Sequence, residues 1–148
     1  MRWSAAAVLL LAACRGQPTS PTAGLEVTAS VAPAAARIGQ TVSITVLLIN
    51  HTDQLRTIET NQCGMLFRVM TLDGAVVGPA GRICAAFSRP KTLVPGEQYV
   101  FTDQWSGDAT GGGPDGPLTF VKPGAYLVRG LPALATSVNL PASVQVTP

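Results

Sequence analysis

Residues 42–50 read VSITVLLIN, and the fold follows from how this stretch is read. Val42, Ile44, Val46 and Leu48 occupy alternate positions, Ser43, Thr45 and Leu47 lie between them, and Asn50 ends the run. A period of two is that of a pleated strand with one face buried, because successive side chains point to opposite faces of a sheet. The same alternation opens at Leu25: Leu25, Val27, Ala29 and Val31 share one face, and Glu26, Thr28 and Ser30 the other. Residues 66–71, 99–106, 125–131 and 137–147 are further short runs rich in Val, Leu, Thr and aromatics. Turn dipeptides separate them, namely Asp73-Gly74, Pro95-Gly96, Asp115-Gly116 and Pro123-Gly124. No window after the first residues keeps a helical period. About seven short strands without helices predict an all-β, immunoglobulin-like antiparallel β-sandwich.

Two details refine that prediction. Pro141 lies inside the last predicted strand, so that strand is expected at an edge or bulged there. Tyr126 follows Pro123-Gly124 at a strand start, where immunoglobulin-like domains place a corner tyrosine whose phenol bonds backbone. An ordinary strand tyrosine is the alternative.

The chain has 148 residues, the size of one domain with a substantial core. Charged residues are 12% of it and the net charge is +2, without a run of Lys or Arg, so nothing points to nucleic acid.

The beginning differs from the rest. Arg2 is followed by nine apolar residues, 5–13, too few to span a bilayer as a helix but suited to the apolar region of a signal peptide. Leu11-Ala12-Ala13-Cys14 resembles the lipobox of bacterial lipoproteins. That resemblance implies a diacylglycerol thioether at Cys14, cleavage before it and acylation of the new amino terminus. Several acyl chains anchor a protein stably where one does not. Residues 15–23, RGQPTSPTA, read as an extended tether. The expected organisation is a signal peptide over 1–13, a lipidated cysteine and tether over 14–23, and a β-sandwich over 24–148. The expected location is the bacterial envelope, lipid-anchored on the extracytoplasmic side.

With Cys14 assigned to lipid, Cys63 and Cys84 remain, and outside the cytoplasm a disulfide between them is the default. It would close a loop of roughly twenty residues, contributing about 3 kcal/mol on the chain-entropy model. A metal pair or a reactive thiol is the competing reading. A copper site of the cupredoxin type needs two histidines beside its thiolate and methionine. The chain has only His51 to offer, so Met65 and Met70 read as packing residues.

Catalytic sets are equally incomplete. His51 and Asp53 stand two residues apart with no nucleophile elbow in the chain. Asp103 with Asp108, or Glu59 with Asp73, are conceivable carboxylate pairs but read as surface charge. The glycine-rich residues 106–117, SGDATGGGPDGP, lack the Lys-Ser/Thr of a phosphate-binding loop. They read as a surface loop. Asn50-His51-Thr52 spells a glycan acceptor, yet its better reading is side chains bonding backbone at a strand end. The expectation is a non-enzyme with no cofactor and no metal.

A family resemblance runs across the folded part. NHT at 50–52, LFRVMTLDGAVV at 66–77, LVPGEQYVFTDQW at 93–105 and VKPGAYLVRG at 121–130 occur in order. In this they resemble the BsuPI-type intracellular proteinase inhibitor family. The shared positions are Asn50 and Thr52, Phe67 and Val69, Asp73 and Gly74, Pro95 to Glu97 with Trp105, and Pro123 to Tyr126. The resemblance implies an immunoglobulin-like sandwich and binding to a proteinase. The chain departs from the family at Met65-Leu66, where the family has Tyr-Asp, and at residues 78–81, where it has a Trp-rich stretch. No inhibitory residue carries over.

The sequence therefore predicts a membrane-anchored interaction module with an unidentified protein partner. The alternative is an inhibitor of an envelope or secreted protease. The candidate contact loop is Gly78, Pro79, Ala80, Gly81 and Arg82, braced by the cysteine pair.

Overall fold

The computed structural model describes residues 24–59, 66–80, 90–109, 119–131 and 138–148. Cys14, Cys63, Cys84, Gly81, Arg82, the tether and most of the glycine-rich loop lie outside these residues.

The described residues form strands and turns with no helix. The strands are β1 (Leu25–Ala32), β2 (Ala35–Arg37), β3 (Val42–Asn50), β4 (Arg56–Glu59), β5 (Phe67–Met70) and β6 (Val76–Gly78). They continue with β7 (Pro90–Leu93), β8 (Gln98–Trp105), β9 (Gly124–Gly130), β10 (Val138–Leu140) and β11 (Ala142–Thr147). One sheet has the order β10-β1-β3-β8, the second β2-β11-β9-β5-β6, and β4 pairs with β7 in a separate ribbon. This is the all-β, immunoglobulin-like sandwich expected from the alternation, with the first, third and eighth strands opposed to the fifth, ninth and eleventh.

The strand that anchors the first sheet is β3, which pairs antiparallel with β1 on one side and β8 on the other. Its alternation is complete in the structure: Val42, Ile44, Val46, Leu48 and Asn50 are buried, and the residues between them half-buried. The second sheet contributes Phe67, Val69, Tyr126, Val128, Val144 and Val146 to the same core. Burying each such apolar side chain contributes about 1.5–3 kcal/mol before chain entropy is counted. Gly130 lets the second sheet pack closely against side chains of the first. A Cβ there would lie 2.6 Å from Val27 Cγ1 and 2.9 Å from Val46 Cγ1, both on the opposite sheet.

The strand count exceeds the expected seven, for a physical reason visible at two prolines. Residues 137–147 do not form one bulged strand. β10 pairs parallel with β1 in the first sheet, whereas β11 pairs antiparallel with β9 in the second. Pro141 stands between them, where an absent N–H ends one ladder and lets the chain change sheets. Pro33 does the same between β1 and β2, which joins the second sheet parallel to β11. The other addition is the β4–β7 ribbon, whose Thr57 and Thr92 hydroxyls meet at 3.0 Å.

Tyr126 takes the corner position. Its Oη donates to Lys122 O at 2.6 Å, and its ring meets Trp105 edge-on, with centroids 6.4 Å apart and planes at 71°. Both side chains are buried.

Asn50 closes the other end of β3. Its Nδ2 donates to Gln54 O (2.8 Å) and Leu93 O (3.1 Å), and its Oδ1 accepts from Thr52 N (3.0 Å) and Thr52 Oγ1 (2.7 Å). All four amide positions are thus used in a fully buried side chain. The Asn-x-Thr tripeptide is a strand terminator tying the ribbon to the sandwich, and its amide nitrogen is inaccessible as a glycan acceptor.

Candidate functional site

Three surfaces have the composition of a contact site. The first is the start of the loop singled out in the sequence. Gly78 and Pro79 are buried, and Ala80 is half-buried. Ala80 N donates to Asp108 Oδ2 at 2.6 Å, and Asp108 also receives Ser106 N and Ser106 Oγ. Trp105 Nε1 donates to Asp108 O at 2.9 Å. A Cβ on Gly78 would lie 3.0 Å from that carbonyl and 3.1 Å from the indole nitrogen, so any larger residue would have to push this junction by a few tenths of an ångström. Of the candidate loop, residues 78–80 are therefore a packed strand end and its anchor rather than an exposed convex surface.

The second surface is the outer face of the first sheet. Cross-strand register places Leu140, Thr28, Leu47 and Val100 in one row across β10, β1, β3 and β8. Leu140 is 52% exposed and Val100 59%. Hydroxyl side chains flank the row, with Thr45 and Thr102 in contact at 3.4 Å and Ser30 beside them. At one end of this face His51 Nε2 meets Glu26 Oε2 at 2.7 Å. His51 is thus an exposed turn residue paired to a neighbouring strand.

The third surface is a groove of about 230 Å³ on the outer face of the second sheet. Met70, Thr71, Leu72, Asp73 and Gly74 wall one side, and Leu127, Arg129 and Pro141 the other. A register shift between Val69 and Met70 puts an extra residue on β6 and redirects the β5–β6 hairpin, so that its tip walls this groove. The tip is tightly bonded: Thr71 N donates to Ala75 O (2.9 Å), Gly74 N to Thr71 O (3.0 Å) and Ala75 N to Thr71 Oγ1 (3.0 Å). Hydrogen bonding from Thr71, with help from the backbone at Asp73 and Ala75, holds the Asp73 carboxyl below its ordinary value.

The chemistry-bearing residues weighed in the sequence fall as follows. Asp108 is occupied as an acceptor at the Trp105 junction, and Asp73 within its hairpin. Met70 lines the groove. Among the described residues no group of three or more His, Cys, Asp and Glu side chains converges as a metal site. Among the described residues no helix is long and apolar enough to cross a membrane. The groove and the apolar row escaped sequence reading, because both are made by cross-strand register rather than by neighbours in the chain.

No protein-family model matches the chain. No curated protein matches it either. Solved structures do. A β-glucosidase from Erythrobacter marinus matches at TM-score 0.54 and 12% identity, over 84% of this chain and 16% of that one. A β-glucosidase from Listeria innocua, crystallised with laminaribiose, matches at TM-score 0.50 and 13% identity, over 85% and 16%. A CARDB domain of a Pyrococcus furiosus protein matches at TM-score 0.47 and 14% identity, over 84% of this chain and 94% of that one. The chain thus spans about a sixth of the two β-glucosidases. At such identities the likeness is one of fold, and the fold is an immunoglobulin-like β-sandwich.

Proposed function

We propose that this chain is a lipid-anchored, extracytoplasmic module that binds a protein partner and carries out no reaction of its own. The observation that carries this reading is the apolar row Leu140–Thr28–Leu47–Val100 on a sheet face with exposed leucine and valine side chains. Val100 beside the half-buried Leu47, with Leu140 across Thr28, leaves apolar side chains on an open sheet face, the kind of surface that docks a partner. The Leu11-Ala12-Ala13-Cys14 motif supports the anchor, and the Pro- and Thr-rich residues after it support a tether that lets the sandwich reach a partner.

The test is site-specific photocrosslinking in intact cells, with the crosslinker at Val100 and, as a control, at the exposed Thr41 in the turn before β3. The reading expects a discrete protein adduct at Val100 that disappears when Leu47 is replaced by Glu and is reduced by Cys14→Ala. No adduct at Val100, or the same adducts at both positions, overturns it.

Inhibition of an envelope or secreted protease is the second reading. It is favoured by the Ala80–Asp108 hydrogen bond, because an inhibitory loop needs a rigid base. The BsuPI-type resemblance and the two remaining cysteines support it further. Slow, stoichiometric loss of protease activity on adding the full chain would select it. A panel of envelope proteases left at full activity would remove it.

A further inference from the structure

The strands of the second sheet carry Arg37, Arg68 and Arg129 and no carboxylate. Arg68 and Arg129 are direct cross-strand partners in the β5–β9 register, and both are exposed. They share the outer face, since Phe67, Val69, Val128 and Gly130 on either side are buried. Neither forms an ion pair among the described residues. Like charges placed directly opposite on neighbouring strands repel, and the repulsion is relieved by an anion lying across both. Arg129 also lines the groove, whose other walls include Met70, Leu72, Leu127 and Pro141.

We propose that this face binds an acidic peptide segment of a protein partner, with one apolar side chain in the groove and flanking carboxylates on Arg68 and Arg129. The groove's volume suits a single large side chain. Two guanidinium groups in register suit carboxylates bound through paired N–H donors. Asp73 on the hairpin side selects against a uniformly anionic surface such as a phospholipid headgroup layer, which would bring negative charge onto it. A mixed segment with an apolar residue at that point avoids the clash. The inference rests on the binding-module reading only in taking the partner to be a protein. It concerns the opposite face from Val100, so either can fail alone.

The experiment uses the full chain in detergent-free nanodiscs of neutral phosphatidylcholine and fluorescence anisotropy of labelled nonapeptides. The probes have a central Glu-Leu-Glu, Gln-Leu-Gln or Glu-Ser-Glu, and vesicles of phosphatidylglycerol serve as the competing anionic surface. The Glu-Leu-Glu peptide is expected to bind at least tenfold more tightly than either of the others. Its affinity should fall with added salt, and by at least tenfold in Arg68→Gln/Arg129→Gln. Leu127→Glu should abolish binding. The arginine variant is expected to melt no lower than the parent, since both side chains are exposed and repel each other. Equal binding of the Gln-Leu-Gln peptide, or unchanged affinity in a folded double variant, overturns the proposal. Arginine-dependent binding to the vesicles with none to the peptide overturns it as well and assigns the face to lipid.

Discussion

Trp105 and Asp108 hold one end of the sandwich together through a hydrogen bond from the indole Nε1 to the Asp108 carbonyl at 2.9 Å. The same residue's carboxylate accepts from Ala80 N at 2.6 Å, so the end of β8 is coupled to the chain leaving β6. Asp108→Ala removes the charged acceptor and leaves the Ala80 N–H unpaired in a half-buried position. The expected cost is about 1.5–3 kcal/mol, the range for hydrogen bonds to charged groups. Amide exchange at Ala80 should accelerate more than at Val128 in β9. Equal acceleration at both sites would mean that Asp108 acts on global stability and not on this junction.

Tyr126 offers a two-step test of the corner. Tyr126→Phe removes the bond to Lys122 O and keeps the ring against Trp105. It should lower stability by about 1 kcal/mol, the net value of one such bond. Tyr126→Ala also removes the packing and should cost about 3–5 kcal/mol. Denaturant midpoints with unchanged slopes are the readout. A Phe variant as stable as the parent would show that the hydrogen bond contributes nothing net.

Gly130 packs directly under Val27 and Val46 of the opposite sheet. A methyl group there overlaps the Val27 and Val46 side chains, and overpacking of this kind costs about 1–3 kcal/mol. Gly130→Ala should therefore destabilise, and Val27→Ala in the same chain should recover part of the loss. A double-mutant cycle measures the coupling, which is expected to be favourable. Simple additivity of the two costs would place the steric conflict elsewhere.

Glu97 predicts a pH dependence. Its carboxylate accepts from Lys91 Nζ at 2.8 Å and from Val94 N at 2.9 Å. The Lys91 hydrogen bond, then the Val94 N–H, hold its pKa below the ordinary value. A carboxyl depressed in the folded state adds stability that is fully present above its unfolded pKa. That stability is lost as pH falls through the folded value. The difference in melting temperature between the parent and Glu97→Gln should thus be widest near neutral pH and close in acid. A difference that stays constant down to the acid limb would show that the charge does not hold this corner.

The period-two alternation at residues 42–50 and 25–31 is a local property, and it sufficed to predict strands, turns and a sandwich. Tyr126 at its Pro-Gly corner and the Asn50 contacts to Thr52 and Gln54 were equally legible, because these partners lie within four residues, whereas the Asn50 bond to Leu93 O is set by the tertiary structure. The chain's expected reading as a lipoprotein and the pairing of Cys63 with Cys84 concern residues outside those described.

What the sequence could not show is everything set by pairing between distant strands. Pro33 and Pro141 are visible as ladder breakers, but only the tertiary structure reveals that the chain changes sheets at both. Arg68 and Arg129 look like unrelated surface charges until the β5–β9 register sets them side by side. Leu47, Val100 and Leu140 become one row in the same way. Alternation determines which face of each strand is buried. Register determines which exposed residues are neighbours, and it comes from packing the whole sandwich, where a one-residue slip would turn every buried side chain outward.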